Sequence, residues 1–329
     1  MAPSTNLNIL DFEKPIQELD AQIEEIRRMS AEEGQDRSEE ISQLEESRDR
    51  LMRKIFDTLT PWDQTLLARH PKRPYTLDFI RLMFEDYTEL HGDRLFSDDK
   101  AMIGGIGVIG GHQVVFVGQQ KGRDLKDRQY RNFGSAKPEG YRKALRLMKF
   151  AEKFGRPIVC FVDTPAADCS VGAEERGISE AIARNLMEMS TLKVPVVVAL
   201  LGEGGSGGAI GIAVGNRILM LEHGIYSVIP PEGCAAILWR DPTKGADAAA
   251  ALKITAKDAL KLGVIDEIIP EPLGGAHRNV DETAKNLKSA ILRHLHELES
   301  ISGEELARDR YEKFRNMGSF LSEPDLAAV

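Results

Sequence analysis

The chain has 329 residues, 42% hydrophobic and 29% charged, with a formal charge of −9. That is enough for a sizeable core and ordinary for a soluble globular enzyme. The acidic balance argues against general affinity for nucleic acid, no apolar run approaches the ~20 residues of a membrane helix, and the polar start lacks a signal peptide's apolar core.

Residues 11–57 open the chain with Phe12, Ile16, Leu19, Ile23 and Ile26 at steps of four and three. After Gly34 the same spacing resumes at Ile41, Leu44, Leu51 and Ile55, which predicts two antiparallel helices joined by a turn. So narrow an apolar seam must pack on the main domain or on a partner. Residues 61–99 read as a connecting region, with a helix over 76–90 that carries Phe79, Met83, Phe84 and Tyr87. From Ala101 the pattern changes: apolar runs at 102–109 and 113–117 flank Gly110-Gly111, a hairpin signal. Ten Lys or Arg against three acidic residues then fall between Lys121 and Lys149. They form either a solvated helix face or a surface for phosphates or a carboxylated ligand. Pro138 suits the first turn of a helix running to about Phe154.

Strand–loop–helix units follow: a strand at 158–162, a loop at 163–172, a helix at 173–189, and a second strand at 194–201. Further strands are predicted at 217–221, 226–229 and 264–269, a helix after Pro230, another at 256–262 capped by Thr255, and a last one over 280–299. The tail after Ser302 is polar. This alternation predicts an α/β fold with its ligand site at the C-terminal ends of the strands.

Two strand ends carry unusual loops, Asp163-Thr-Pro-Ala-Ala-Asp168 and Gly202-Glu-Gly-Gly-Ser-Gly-Gly208. Five glycines in seven residues carry a large entropic cost. They serve either a helix packed too closely on its strand for side chains, or a loop whose amides face an anion. If the strands are neighbours, both loops can aim N–H groups at one developing oxyanion. Gly204 to Gly208 also satisfies Gly-x-Ser-x-Gly, with Asp266 and His277 following in hydrolase order, so a Ser206 hydrolase is the alternative. Cys160, Cys169 and Cys234 form no Cys-x-x-Cys pair, and none of the seven histidines stands at metal-ligand spacing. Hence no metal is expected in this chain, and a reduced, cytoplasmic setting is.

The runs Arg131-Asn-Phe-Gly134, Pro138 to Met148, Val171 to Gly177, Ser179 to Asn185, Gly202 to Gly208, Tyr226 to Ile229, Pro231 to Cys234 and Glu271 to Arg278 resemble the carboxyltransferase alpha subunits of bacterial acetyl-CoA carboxylase, over nearly the whole chain. The resemblance implies a crotonase/ClpP-like spiral of ββα units with an N-terminal helical hairpin extension. It divides the chain into a hairpin at 1–60, a connecting helical region at 61–100, the carboxyltransferase domain at 101–300 and a polar tail at 301–329. It implies carboxyl transfer from carboxybiotin on a carrier protein to acetyl-CoA, giving malonyl-CoA for fatty acid synthesis. A zinc-containing beta subunit would share the site in an α2β2 assembly, with biotin carboxyl carrier protein and biotin carboxylase as further partners. By motif match, the amides of Gly204, Gly205, Ala166 and Ala167 stabilise the biotin enolate, and Gly172, Ser206, Gly207, Gly208, Lys121 and Arg123 bind the cofactor. One departure stands out: the family reads Gly-Ala-Tyr-Pro-Gly after Asp-Thr-Pro, and this chain has Ala166-Ala167-Asp168-Cys169-Ser170. If that glycine needs a positive φ, Ala166 is strained by about 1 kcal/mol or more. A non-catalytic regulatory paralogue is the reading this departure motivates.

Overall fold

The structure, a computed structural model, describes residues 9–318; the polar start at 1–8 and the tail beyond 318 lie outside the described residues. Helices α1 (Lys14–Glu33) and α2 (Ser38–Phe56) form the expected hairpin, turned by Gly34 at φ +66. Ile16, Ile23 and Met52 bury its apolar seam. The hairpin is latched by a residue just before α1. The Glu13 carboxylate accepts from the Leu10 amide at 3.1 Å, lies 3.1 Å from His277 Nε2, and is 3.7 Å from His70 Nε2. Burial alone would push the Glu13 carboxyl up, but its hydrogen bonds and charge attraction to His277, with the Leu10 amide, hold it below the usual range. A Glu13→Ala variant takes the carboxylate partner from His277 Nε2, and one unsatisfied ring N–H costs about 1–3 kcal/mol. Amide exchange in α1 is therefore expected to speed up while the sheet keeps its protection, and unchanged exchange in α1 would refute the latch.

Helix α3 (Pro61–Ala68) is capped by the Thr60 side chain. Helix α4 (Thr76–Met83) stops seven residues short of the predicted end, and Asp86–Glu89 instead form β1. This edge strand pairs antiparallel with β2 (Met102–Ile109), whose Gly105 and Gly107 let the Thr88 and Asp86 backbones lie where side chains would otherwise sit. Strand β3 (His112–Gln119) follows across Gly110-Gly111, both at positive φ as the hairpin turn requires.

Next come α5 (Leu125–Tyr130), α6 (Pro138–Lys153), β4 (Ile158–Thr164), α7 (Val171–Glu175) and α8 (Ile178–Thr191). The last two were expected as one helix; Gly177 at φ +78 divides them. Strand β5 (Val196–Gly205) and α9 (Ser206–Ile210) absorb the whole glycine-rich stretch: the ladder runs four residues past the predicted strand end, and the helix starts at once. The rest is β6 (Arg217–Leu221), β7 (Ile225–Ser227), α10 (Pro231–Trp239), α11 (Gly245–Leu252), α12 (Ala256–Lys261), β8 (Glu267–Ile269), α13 (Val280–Glu299) and α14 (Gly303–Arg315).

The sheet order is β1-β2-β3-β4-β5-β6-β8, with β7 also pairing β5; from β3 onward all pairs are parallel. Alternate residues feed two cores. Val115, Val117, Ile158, Cys160, Val162, Val196, Val198 and Leu200 face α6 and α8, while Val114, Phe116, Val159, Phe161, Val197, Ala199 and Leu201 face α4 and α13. A sheet covered on both faces explains why its central strands are continuously apolar. The polar tail read after Ser302 holds α14, fastened by a fully buried Arg310. Its guanidinium donates to the carbonyls of Met189 (2.7 Å), Leu192 (2.9 Å) and Val194 (3.2 Å) and to Asn216 Oδ1 (2.7 Å).

Candidate active site

Strands β4 and β5 are neighbours and parallel, so their C-terminal turns emerge side by side, with Thr164 paired to Gly204. Gly204 lies inside the ladder, flanked also by Tyr226 of β7, and Gly205 pairs with Ser227. A methyl group on Gly205 would land on the Pro165 carbonyl. One on Gly208 would lie 2.5 Å from the Ala167 nitrogen and 2.6 Å from the Ala166 carbonyl carbon. Glycine here lets one main chain rest directly on another.

Beyond the ladder, the amides of Ala166 and Ala167 find no hydrogen-bond partner among the described residues, and Ser206 and Gly207 open α9, where a helix leaves its first N–H groups without an intrahelical partner. Ser206 takes φ +53, a left-handed conformation that costs a non-glycine residue roughly 1–3 kcal/mol. This strain sits at the strand-to-helix corner that turns the α9 amides outward. Ala166 is not among the positive-φ residues, so the strain its departure from the family pattern threatened does not arise. Asp168 accepts from the Ser170 amide (3.0 Å) and hydroxyl (3.2 Å), at the turn entering α7.

Buried polar side chains fix the corner. Gln119 Nε2 (2.9 Å) and the Tyr141 hydroxyl (3.1 Å) both donate to the Gly208 carbonyl, and Gln119 Oε1 accepts from the Asp163 amide at 3.1 Å. Burial pushes the Tyr141 hydroxyl up, so it stays a donor. Asn185 ties α6 to α9 by donating to the carbonyls of Tyr141 (3.1 Å) and Gly211 (2.9 Å). The sequence reading missed these residues; the available signal was the pair Gln119-Gln120 ending an otherwise apolar strand.

A charged chain runs beneath. Lys121 Nζ reaches Asp163 Oδ1 (2.8 Å) and Glu203 Oε2 (2.7 Å); Glu203 Oε1 takes Arg69 Nε (2.6 Å), and Arg69 Nη1 reaches Glu232 (2.5 Å). Burial opposes both charges, but the Asp163 and Glu203 carboxylates push Lys121 up, and Lys121 and Arg69 hold Glu203 down. Arg123 lies 4.3 Å over the Tyr75 ring, pairs with Asp78 and donates to the Arg73 carbonyl at 2.8 Å. Both cations expected at the cofactor thus have partners within the chain. Gly172 sits in α7, beside Arg176. Next to Pro165 opens a cavity of about 160 Å³ lined by Arg69, Tyr75, Lys121, Phe133 and Glu203.

The hydrolase constellation does not assemble. Asp266 accepts from the Ile218 amide (2.7 Å) and pairs with Lys313, and His277 is held by Glu13. Folding does bring Glu13, His70 and His277 together, with ligand-type atoms within 4.8 Å of one another. The three come from distant segments, which hid them from a spacing search. Their geometry favours a hydrogen-bonded latch over a metal cage. The Lys72 amide donates to His70 Nδ1 at 3.1 Å, leaving the proton on the Nε2 that faces Glu13. A metal-binding imidazole instead donates from its far nitrogen. The two rings are stacked at 4.0 Å and 25°, so their in-plane lone pairs run nearly parallel and do not converge.

Residues 9–318 match a family model described as acetyl co-enzyme A carboxylase carboxyltransferase-like. The chain is 56% identical over 320 residues to the acetyl-coenzyme A carboxylase carboxyl transferase subunit alpha of Thermosynechococcus vestitus, covering 97% of this chain and 99% of the relative. It is 55% identical over 311 residues to that of Geobacter metallireducens, covering 94% and 98%. Among solved structures it resembles transcarboxylase 12S (TM-score 0.55, 18% identity, 68% of this chain and 41% of that one). It also resembles a Pseudomonas malonate decarboxylase MdcD-MdcE hetero-dimer (TM-score 0.57, 14% identity, 73% and 95%). At such identities the likeness concerns the fold, which is the crotonase-like one implied by the sequence.

Proposed function

This chain belongs to the carboxyltransferase alpha subunits of acetyl-CoA carboxylase, and from that membership we propose that it moves a carboxyl group from carboxybiotin, borne by a carrier protein, to acetyl-CoA, yielding malonyl-CoA for fatty acid synthesis. Carboxyl transfer to an acyl-CoA is the chemistry of the family; the donor, the product's fate and the site residues are the proposal. The observation that carries it is the pair of touching turns, which sets the unengaged amides of Ala166 and Ala167 beside the first amides of α9. Such a cradle suits an oxygen on which negative charge gathers, and one well-aimed donor is worth about 3 kcal/mol in a transition state.

Bound carboxybiotin supplies an activated carboxyl group and a ureido oxygen that becomes more negative as that group departs. This chain's part is to hold that oxygen. Gly204 and Gly205 bring the β5 corner onto Pro165, Gln119 and Tyr141 anchor the Gly208 carbonyl, and the unengaged amides donate. Lys121, Asp163, Glu203 and Asp168, at or beside the two strand ends, are tied to partners of their own. The work is therefore positioning and electrostatic, not proton transfer by a side chain of this chain. The ordinary φ of Ala166 favours this catalytic reading over a regulatory paralogue.

The proposal includes a zinc-containing beta subunit in an α2β2 assembly, with carrier protein and biotin carboxylase completing the complex. Val228, just after the β7 strand that flanks Gly205, and Ile237 and Leu238 of α10 support a partner here: they are 74%, 72% and 63% exposed. No helix among the described residues is long and apolar enough to cross a membrane. The proposal sets the enzyme in the cytoplasm, where an exposed thiol such as Cys169 stays reduced. Co-expression with a candidate beta subunit, followed by assay with carboxybiotinylated carrier and acetyl-CoA, is expected to give malonyl-CoA only when both chains are present. A co-purified complex that forms no malonyl-CoA would overturn the reading.

A further inference from the structure

A second cavity, of about 230 Å³, lies where the end of α2 meets the main body, apart from the glycine corner. That is below the ~300 Å³ typical of sites for drug-sized ligands, so it suits a compact molecule. Its wall carries four charged side chains, Arg53 and Lys257 of one sign, Asp57 and Glu222 of the other. None of the four is in an ion pair among the described residues. Charges of opposite sign that share a small concavity without closing on one another leave room for a ligand to bridge them.

Two further polar groups point the same way. Six buried side-chain polar atoms lack a hydrogen-bond partner among the described residues, and two of them, Gln64 Oε1 and His223 Nδ1, belong to residues lining this cavity. Such atoms cost free energy unless something satisfies them. His223 is 7% exposed, and burial pushes its imidazole down, so it stands neutral. The remaining acid, Glu271, is already neutralised by Arg73, at 2.5 and 3.0 Å.

We propose that this cavity binds a small zwitterion of the α-amino acid class, its carboxylate toward Arg53 and Lys257 and its ammonium toward Asp57, Glu222 and the Gln64 carbonyl. An inorganic oxyanion would answer the two cations but face two uncompensated carboxylates and leave Gln64 unmatched. A simple amine or metal cation would fail in the opposite sense. Because the wall combines α2 with the loops after β6 and β8, occupancy would also staple the hairpin to the body. The inference does not depend on the proposed carboxyl transfer.

The test is thermal shift and calorimetric titration of the full-length chain with the standard α-amino acids, at matched ionic strength. Each positive is compared with its deaminated carboxylate and with inorganic phosphate. At least one amino acid is expected to raise the melting temperature and bind at one site, while its deaminated analogue and phosphate do not. Arg53→Ala and Glu222→Gln, each altering a charged side chain of the cavity wall, are each expected to weaken that binding by about tenfold or more, the loss of one charge-assisted hydrogen bond. No response to any amino acid would overturn the proposal. So would an equal response to the deaminated analogue or phosphate, or binding that survives both substitutions.

Discussion

A Gly205→Val variant is expected to lose carboxyl transfer by about 10²–10³-fold or more, the loss associated with one misplaced oxyanion donor. The main chain at Gly205 has φ −97 and ψ 121, values open to any residue, so conformational freedom is not the reason for glycine here. Space is the reason: any side chain would meet the Pro165 carbonyl and the Thr164 oxygen. Main-chain atoms cannot rotate aside as a side chain can, so the 164–167 turn must move away from α9. Its amides then part from those of Ser206 and Gly207. Overpacking of this kind typically costs 1–3 kcal/mol, within the ~5–15 kcal/mol stability of a folded protein, so the variant should fold. Gly207→Ala is the internal comparison for stability, since its nearest neighbour would be Ile182 Cδ1 at 3.6 Å. Its melting temperature should match that of the unaltered chain. Initial rates of malonyl-CoA formation by the assembled enzyme, read beside melting temperatures, decide the matter. A Gly205→Val enzyme at full rate would remove the two-turn cradle from the mechanism.

Arg73→Met should be the most destabilising single change outside the apolar core. Arg73 and Glu271 are both essentially inaccessible and joined by two hydrogen bonds, and Arg73 also donates twice to the Leu201 carbonyl, at 2.9 and 2.7 Å. Removing one partner of a buried pair strands the other charge and costs about 3–5 kcal/mol. At roughly 2–4 °C per kcal/mol for a domain of this order, the melting temperature should fall by about 10 °C. Burial alone would raise the Glu271 carboxyl, but Arg73 outweighs it and holds it down at about 2. A folded value below the unfolded ~4.3 means that the unfolded chain binds the proton more readily. The pair's contribution is therefore complete above about pH 4.3 and is lost as pH falls toward 2. Melting temperature followed across that range should show the acid-sensitive step in the unaltered chain. Arg73→Met combined with Glu271→Gln should recover part of the loss by removing the stranded charge, and no recovery would mean that Arg73 acts mainly through Leu201.

How much of this was legible follows from what hydropathy reports. The hairpin, the Gly110-Gly111 turn and the central strands are written in period and turn chemistry, and they stand close to where the sequence puts them. Strand β1 is not: Asp86-Tyr-Thr-Glu89 has polar residues at alternate positions of an edge strand, and Phe84 and Tyr87 fit the helical spacing set by Phe79 and Met83 equally well. What decided it was Gly105 and Gly107 across the sheet. The adjacency of the two strand-end turns was likewise readable from consecutive parallel strands. The depth of the ladder was not, because glycine gives no periodic signal and the strand runs through Gly202 to Gly205. Most opaque were the buried cations. Lys121 and Arg123 look like a ligand surface in a basic stretch, and only the fold reveals that Asp163, Glu203 and Asp78 had already claimed them.

The Arg310 clasp has a bearing on biosynthesis. The carbonyls it gathers lie at the end of α8 and just ahead of β5, and Asn216 precedes β6, so all are translated roughly a hundred residues before the guanidinium exists. On a growing nascent chain this rim must wait, hydrated or chaperoned, until α14 leaves the ribosome. Native closure at this edge thereby comes late in the order of synthesis, and a message cut short before the codon for Arg310 would yield a polypeptide with these carbonyls left open.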